Sequence, residues 1–303
     1  MLVEMPVVVY KLSEYDNINN ITLDNDVLSK IDLLKEMYSK VQQNNDNNYN
    51  KKKRNYKRYH EVDPNFKATV FQKREGIDKF YCGIKALINK ITDANYKSLE
   101  KQIFEKFDEL IENYDDENEI STVKKLLIND LTWNSMQSKI NSLLLTTIIN
   151  RYNFNSCVDI LIKEYDDIIT NICYKNINCE EEYDEFCEVN RINNLRRSMG
   201  LFMINMMRHN QIKKNYIINI IKYFQDMLFK SILEEDKKIL VDELTENLYV
   251  LIVNSNKDLN SEKEWNNIIE KVTETTKKVV KEHPSFTSRS KFKHMDIVDC
   301  LKK

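Results

Sequence analysis

Three glycines and three prolines in 303 residues leave this chain almost without the residues that turn a backbone sharply. β-Sandwiches, barrels and dinucleotide-binding α/β folds need glycine in hairpins and ligand loops, so the chain is poorly equipped for any of them. Gly76, Gly83 and Gly200 belong to no Gly-x-Gly or Walker pattern, which argues against nucleotide binding by this chain itself. Leu, Ile, Lys, Glu and Asn dominate instead, and that composition predicts an all-α protein.

The periodicity of apolar residues carries the prediction further. Val27, Leu28, Ile31, Leu34, Met37, Tyr38 and Val41 recur at three- and four-residue steps, an amphipathic helix over residues 26–41 with Asp24 or Asp26 as its cap. Residues 42–60 are polar and basic and read as a linker. The first 60 residues are therefore an extension, and 61–303 the main domain. There the pattern predicts ten helices, at 77–90, 94–114, 120–131, 133–151, 154–174, 190–208, 211–230, 237–254, 261–282 and 289–301. Thr92 or Asp93 caps the second, and Cys173–Val189 loops out as an acidic connection. Paired in order they make five antiparallel hairpins of about 35–45 residues, near the period of HEAT-type arrays. An α–α superhelix is the expected architecture, and an irregular helical bundle the competing one. Stacked hairpins bury their apolar faces against each other and present long binding surfaces.

Catalytic chemistry has little to stand on. His60, His209, His283 and His294 are dispersed, and the many acids fall on helix faces and in loops, where solvation explains them. The six cysteines form no Cys-x-x-Cys pair, so neither a zinc site nor a disulfide framework is expected. The reading is of a non-enzymatic cytoplasmic protein without cofactor or metal, and Val7–Val9 is too short a run for a membrane span. The formal net charge is −2, but charge is unevenly placed: acidic over 1–46 and 105–119, basic over 51–58 and 277–303.

Three segments invite partners. Lys51, Lys52, Lys53, Arg54, Lys57 and Arg58 interleave with Tyr56 and Tyr59, which suits phosphate attraction with base stacking on single-stranded RNA; a solubilising linker or a nuclear localisation signal is the other reading. Tyr223, Leu228 and Phe229 match the Tyr-x-x-x-x-Leu-apolar pattern that grips the cap-binding initiation factor 4E. Their helix must nevertheless bury most of that face. The stripe of Leu28, Ile31, Leu34 and Tyr38 is the better candidate for a cap-binding protein's groove, unless it folds back on the first hairpin.

Three strings add a resemblance. Ile88-Asn89-Lys90-Ile91-Thr92 is followed by Tyr96 and Leu99. Arg196-Arg197-Ser198-Met199-Gly200 leads into Leu201-Phe202-Met203-Ile204. Ser288-Arg289-Ser290-Lys291-Phe292 precedes Asp296-Ile297-Val298-Asp299. In order and spacing, over about residues 75–303, they resemble the middle domain of eukaryotic translation initiation factor 4G, although residues 113–190 diverge from it.

The resemblance implies a five-hairpin HEAT solenoid that binds and stimulates a DEAD-box helicase of the initiation factor 4A type on mRNA. One helicase contact would lie at Asn89, Lys90 and Thr92, the other at Arg289, Lys291 and Phe292. Arg196 and Arg197 read as links between hairpins, and Gly200 as a point of close helix approach. Two rival readings stand beside this one. They are a related scaffold in mRNA decay, splicing or nuclear cap binding, and a solenoid that contacts proteins alone.

Overall fold

The computed structural model describes residues 24–33, 35, 76–114, 116–173, 177 and 180–302, and the chain divides into two units, Met1–Gln72 and Lys73–Lys303. In the first unit, helix α1 covers residues 25–33; it carries exposed Val27, Leu28 and Leu33, half-buried Ile31, and the ion pair Lys30–Asp26. Leu34, Tyr38 and the basic run from Lys51 to Arg58 lie outside the described residues.

Among the described residues the second unit holds ten α-helices and no strand. They are α2 (Gly76–Ile88), α3 (Tyr96–Asn113), α4 (Glu117–Thr132), α5 (Ser138–Tyr152) and α6 (Ser156–Thr170), followed by α7 (Tyr183–Arg208), α8 (Lys214–Ser231), α9 (Lys238–Leu259), α10 (Trp265–Lys277) and α11 (Ser288–Leu301). Consecutive helices pack as α2/α3, α4/α5, α6/α7, α8/α9 and α10/α11. The second members also pack in series, α5 on α7, α7 on α9 and α9 on α11, as a row distinct from α2, α4 and α6. This two-layer stacking is the expected all-α superhelical arrangement.

Direction and repeat length can be read from the hydrogen bonds between helices two apart. Arg196 and Arg197 reach Glu243, whereas Arg208 reaches the Asn254 carbonyl and Asp258, so α7 and α9 run parallel. Arg151 meets Asp108 43 residues away, Lys271 meets Asp226 at 45, and Tyr216 meets Asp166 at 50. These separations of 43, 45 and 50 residues sit at the top of the 35–45 residues expected or just above it. Between α5 and α7 the offset grows: Asn205 bonds Ser138 at a separation of 67. An insertion therefore sits at that joint.

The insertion corrects one boundary. The acidic stretch before residue 190 is not all loop, because α7 starts at Tyr183 and runs 26 residues. Asp184 and Glu185 in its first turn face the positive end of the helix dipole, which favours helix over loop.

At the centre of the array lies a buried ionic group. Arg196 is fully buried; its Nε donates to the Ile168 carbonyl at 2.8 Å, and its Nη1 to Asn193 at 2.7 Å and Glu243 at 3.1 Å. Arg197 reaches the other Glu243 oxygen at 2.7 Å, and the Asn247 amide supports that carboxylate at 2.9 Å. Burial pushes the Glu243 carboxyl up, and the two guanidinium groups oppose that push. These arginines join α6, α7 and α9, the linking role expected of them.

One turn further on, Gly200 allows α7 to approach its neighbours. A Cβ there would stand 2.9 Å from the Tyr165 hydroxyl and 3.3 Å from Leu251 Cδ2. Gly200→Ala should lower stability in urea unfolding by about 1–3 kcal/mol through overpacking, less about 1 kcal/mol of helix propensity. Combining it with Tyr165→Phe, which removes a buried hydroxyl without a partner, should restore most of the loss.

His294 on α11 is buried and neutral. Its Nδ1 lies 2.8 Å from the Ser290 carbonyl, and burial pulls its pKa down to about 4. The unfolded chain takes up a proton near pH 6.5 and the folded chain only near 4, so the stability present above 6.5 is lost between those values. The loss approaches about 3 kcal/mol at the acid end. Unfolding of wild type and His294→Gln in urea, compared at pH 7 and in mild acid, should show a shallower decline in the variant.

Candidate docking surface

Because the members of each hairpin are antiparallel, the links inside hairpins gather along one edge. Among the described residues these are 89–95, 133–137, 171–173 with 180–182, 232–237 and 278–287. Neighbouring links touch: Gln137 Nε2 donates to the Ile91 carbonyl at 3.5 Å, and Ser285 Oγ donates to the Glu234 carbonyl at 2.7 Å. All six residues assigned to helicase contact lie in or beside this edge, three near each end of the array.

At the first end, the α2–α3 link is pinned from both sides by Asn95. Its Oδ1 accepts the Thr92 N–H at 2.7 Å and its Nδ2 donates to the Lys90 carbonyl at 2.9 Å. Asn95, rather than Thr92 or Asp93, is the residue at the start of α3. Ile91 plugs into the core and leaves Asn89, Lys90 and Thr92 exposed. Beside them Tyr81 and Lys85 both bind Asp130, at 2.8 and 2.6 Å. This forms one wall of an open groove of about 410 Å³ that also includes Asn89, Asn134 and Gln137.

Trp133 borders that groove and is 51% exposed; Met136 is 93% exposed. The sequence pattern starts a helix over 133–151 at Trp133 and singles out neither residue as a surface contact. Here α4 ends at Thr132, and Asn134 accepts the Met136 N–H at 3.0 Å, starting a short 3₁₀ turn before α5. The signal available was the Asn-Ser pair after the tryptophan, a capping sequence.

At the far end, Thr287 caps α11 by accepting the Ser290 N–H at 3.0 Å, and its hydroxyl and that of Ser290 both donate to Asp242 of α9. The three candidate residues differ in availability. Phe292 is 62% exposed. Arg289 is exposed while bonded to Glu246 at 3.1 Å. Lys291 is half-buried and donates to the Lys278 carbonyl at 3.0 Å, closing the end of α10. Partial burial raises the Glu246 carboxyl, yet the bonds from Lys293 and Arg289 hold it below the usual range.

The Tyr223 pattern is not presented as a unit: Tyr223 is exposed, but Leu228 is buried and Phe229 packs against the core. Among the described residues no group of His, Cys, Asp or Glu is arranged to hold a metal ion. No described helix is long and apolar enough to cross a membrane. No protein-family model matches the chain, and no curated protein matches its sequence.

Proposed function

We propose that this chain is a translation-initiation scaffold that docks a two-lobed DEAD-box helicase of the 4A type on mRNA and favours its closed, RNA-bound form. The observation that carries the reading is the position of the resembling strings. Two of them, separated by about two hundred residues of sequence, come to the same edge near opposite ends of one stacked array. The middle string, Arg196 to Gly200, is consumed in holding the array together.

A motor protein whose lobes rest on two patches of one body is held near closure before it binds ATP and RNA. Part of the ordering cost of closure is thereby met in advance. At the first patch Asn89, Lys90 and Thr92 offer polar contacts, and Trp133 an apolar anchor. At the second, Phe292 is the apolar anchor, Arg289 a charged contact, and Lys291 a positioning residue for the α10–α11 link. The cap-binding partner is assigned to the α1 stripe around Leu28 and Ile31, and RNA to the run from Lys51 to Arg58, both in the cytoplasm.

The deciding experiment mixes the full chain with a purified 4A-type helicase and single-stranded RNA, and measures complex formation and ATPase rate. A stable complex with a raised RNA-dependent rate is expected; neither binding nor stimulation would overturn the proposal.

A further inference from the structure

Among the described residues, nothing of the array covers the first two turns of α7. The α5 to α7 offset shows an insertion at this joint, and its residues build a helical projection on the edge that carries the intra-hairpin links. Residues 183–188 are exposed on every side. A projecting helix with no packing partner ordinarily carries polar residues all round. This one holds Tyr183, 65% exposed, and Phe186, also exposed, and at its foot stands the exposed Trp133, beside Arg191. From Tyr183 to Arg191 the helix rises about 12 Å, at 1.5 Å per residue.

The charge on the projection has one sign. Glu180, Glu181, Glu182, Asp184, Glu185 and Glu188 precede Arg191 with no lysine or arginine among them. The helix dipole accounts for acids in the first turn, but not for the exposed aromatic rings beside them. Arg191 displays in cis the kind of group such a face holds. Its Nε and Nη2 each bond Glu188 at 2.6 Å, and its guanidinium lies 5.6 Å from the Trp133 ring centre. An arginine held between a carboxylate and an indole is a strong recognition unit in proteins.

We infer that the start of α7, with Trp133, is a docking face for a basic amphipathic helix of a partner protein. Arginines of that helix meet the acid side chains of α7, and its apolar stripe covers Tyr183, Phe186 and Trp133. Nucleic acid is repelled by the same charge. The face shares Trp133 with the first patch assigned to the helicase, but Tyr183, Phe186 and the acids of α7 lie outside both patches, so changes there test this inference apart from helicase stimulation.

The test uses the full chain and a fluorescein-labelled amphipathic peptide of leucine and arginine, read by anisotropy. Acrylamide quenching of Trp133 is read in parallel, because Trp265, the other tryptophan, is buried. The peptide should bind and shield Trp133, and a matched leucine–glutamate peptide should not. Tyr183→Ser with Phe186→Ser should weaken binding about tenfold or more at unchanged helical content. Asp184→Lys, Glu185→Lys and Glu188→Lys together should abolish it. An equal charge change elsewhere, Glu105→Lys, Glu112→Lys and Glu117→Lys, should leave it within about twofold. Equal loss in both charge-reversed proteins would reduce the effect to net charge and overturn the inference. So would displacement of the peptide by oligouridylate, or a concentration-dependent dimer abolished by the Tyr183 and Phe186 changes, which would assign the face to a second copy.

Discussion

Glu243→Ala should cost about 3–5 kcal/mol of stability, because it strips the counter-ion from a guanidinium that cannot lose its proton. Arg196 has no access to solvent, and one of its nitrogens, Nη2, already lacks a partner. Arg197 is partly exposed and can turn toward water when the carboxylate is gone. In a unit of this size the loss corresponds to a fall in Tm of about 10 °C, at about 2–4 °C per kcal/mol. The informative companion is Arg196→Leu with Glu243→Leu. Replacing a buried ion pair by apolar side chains is often neutral, so the double variant should recover most of the stability. Melting curves for the wild type, the single and the double variant decide the point. A single variant within about 1 kcal/mol of wild type would mean the joint is held by apolar packing alone.

The second large effect concerns the two ends of the edge. Phe292→Ala with Arg289→Ala should reduce helicase stimulation about tenfold or more, equivalent to about 1.4 kcal/mol in the activation free energy. Binding should weaken less, since the first patch stays intact. Asn89→Ala with Lys90→Ala and Trp133→Ala should behave the same way from the other end. If one patch alone supplied the contact, the two variants would differ sharply: one would abolish binding, and the other would leave both binding and stimulation intact. ATPase rates at saturating scaffold, together with affinities from titration, separate these cases.

Much of the array was legible because helix periodicity needs only neighbours along the chain. Ile84 and Ile88, or Ile103, Phe107 and Leu110, recur at helical spacing and are all buried. What escaped notice depends on residues far apart. Helix α5 buries Ser138, Asn141, Ser142 and Thr146 as well as leucines and isoleucines, which blurs its stripe. Most of those groups are satisfied locally or by the next hairpin: Asn141 donates to the Leu131 carbonyl at 2.9 Å, although its Oδ1 has no partner, and Ser138 accepts from Asn205 at 2.9 Å. Glu243 looked like one more exposed acid, since the arginines that explain it lie 46 and 47 residues upstream.

The candidate surface was legible only in part, for a related reason. Motif position can say that Asn89 and Phe292 matter, but exposure depends on which neighbours cover them. The apolar pattern starts a helix at Trp133 and says nothing of its exposure, which follows from the helix break at Thr132. In the same way Lys291 read as a contact, yet its ammonium is already committed to the Lys278 carbonyl.

The parallel contacts between helices two apart have a further consequence for how the protein is made. Most hydrogen bonds between hairpins reach back no more than about one repeat, as from Lys271 to Asp226 or from Arg289 to Glu246. A nascent hairpin leaving the ribosome therefore waits only for the next one before its bare face is covered. Assembly can proceed like laying courses of brick, from the amino end onward. The joint before α7 is the exception, because Ser138 and Thr132 must wait for Asn205 and Ser198, more than sixty residues later. That joint is where a synthesis pause would leave the longest-lived sticky surface.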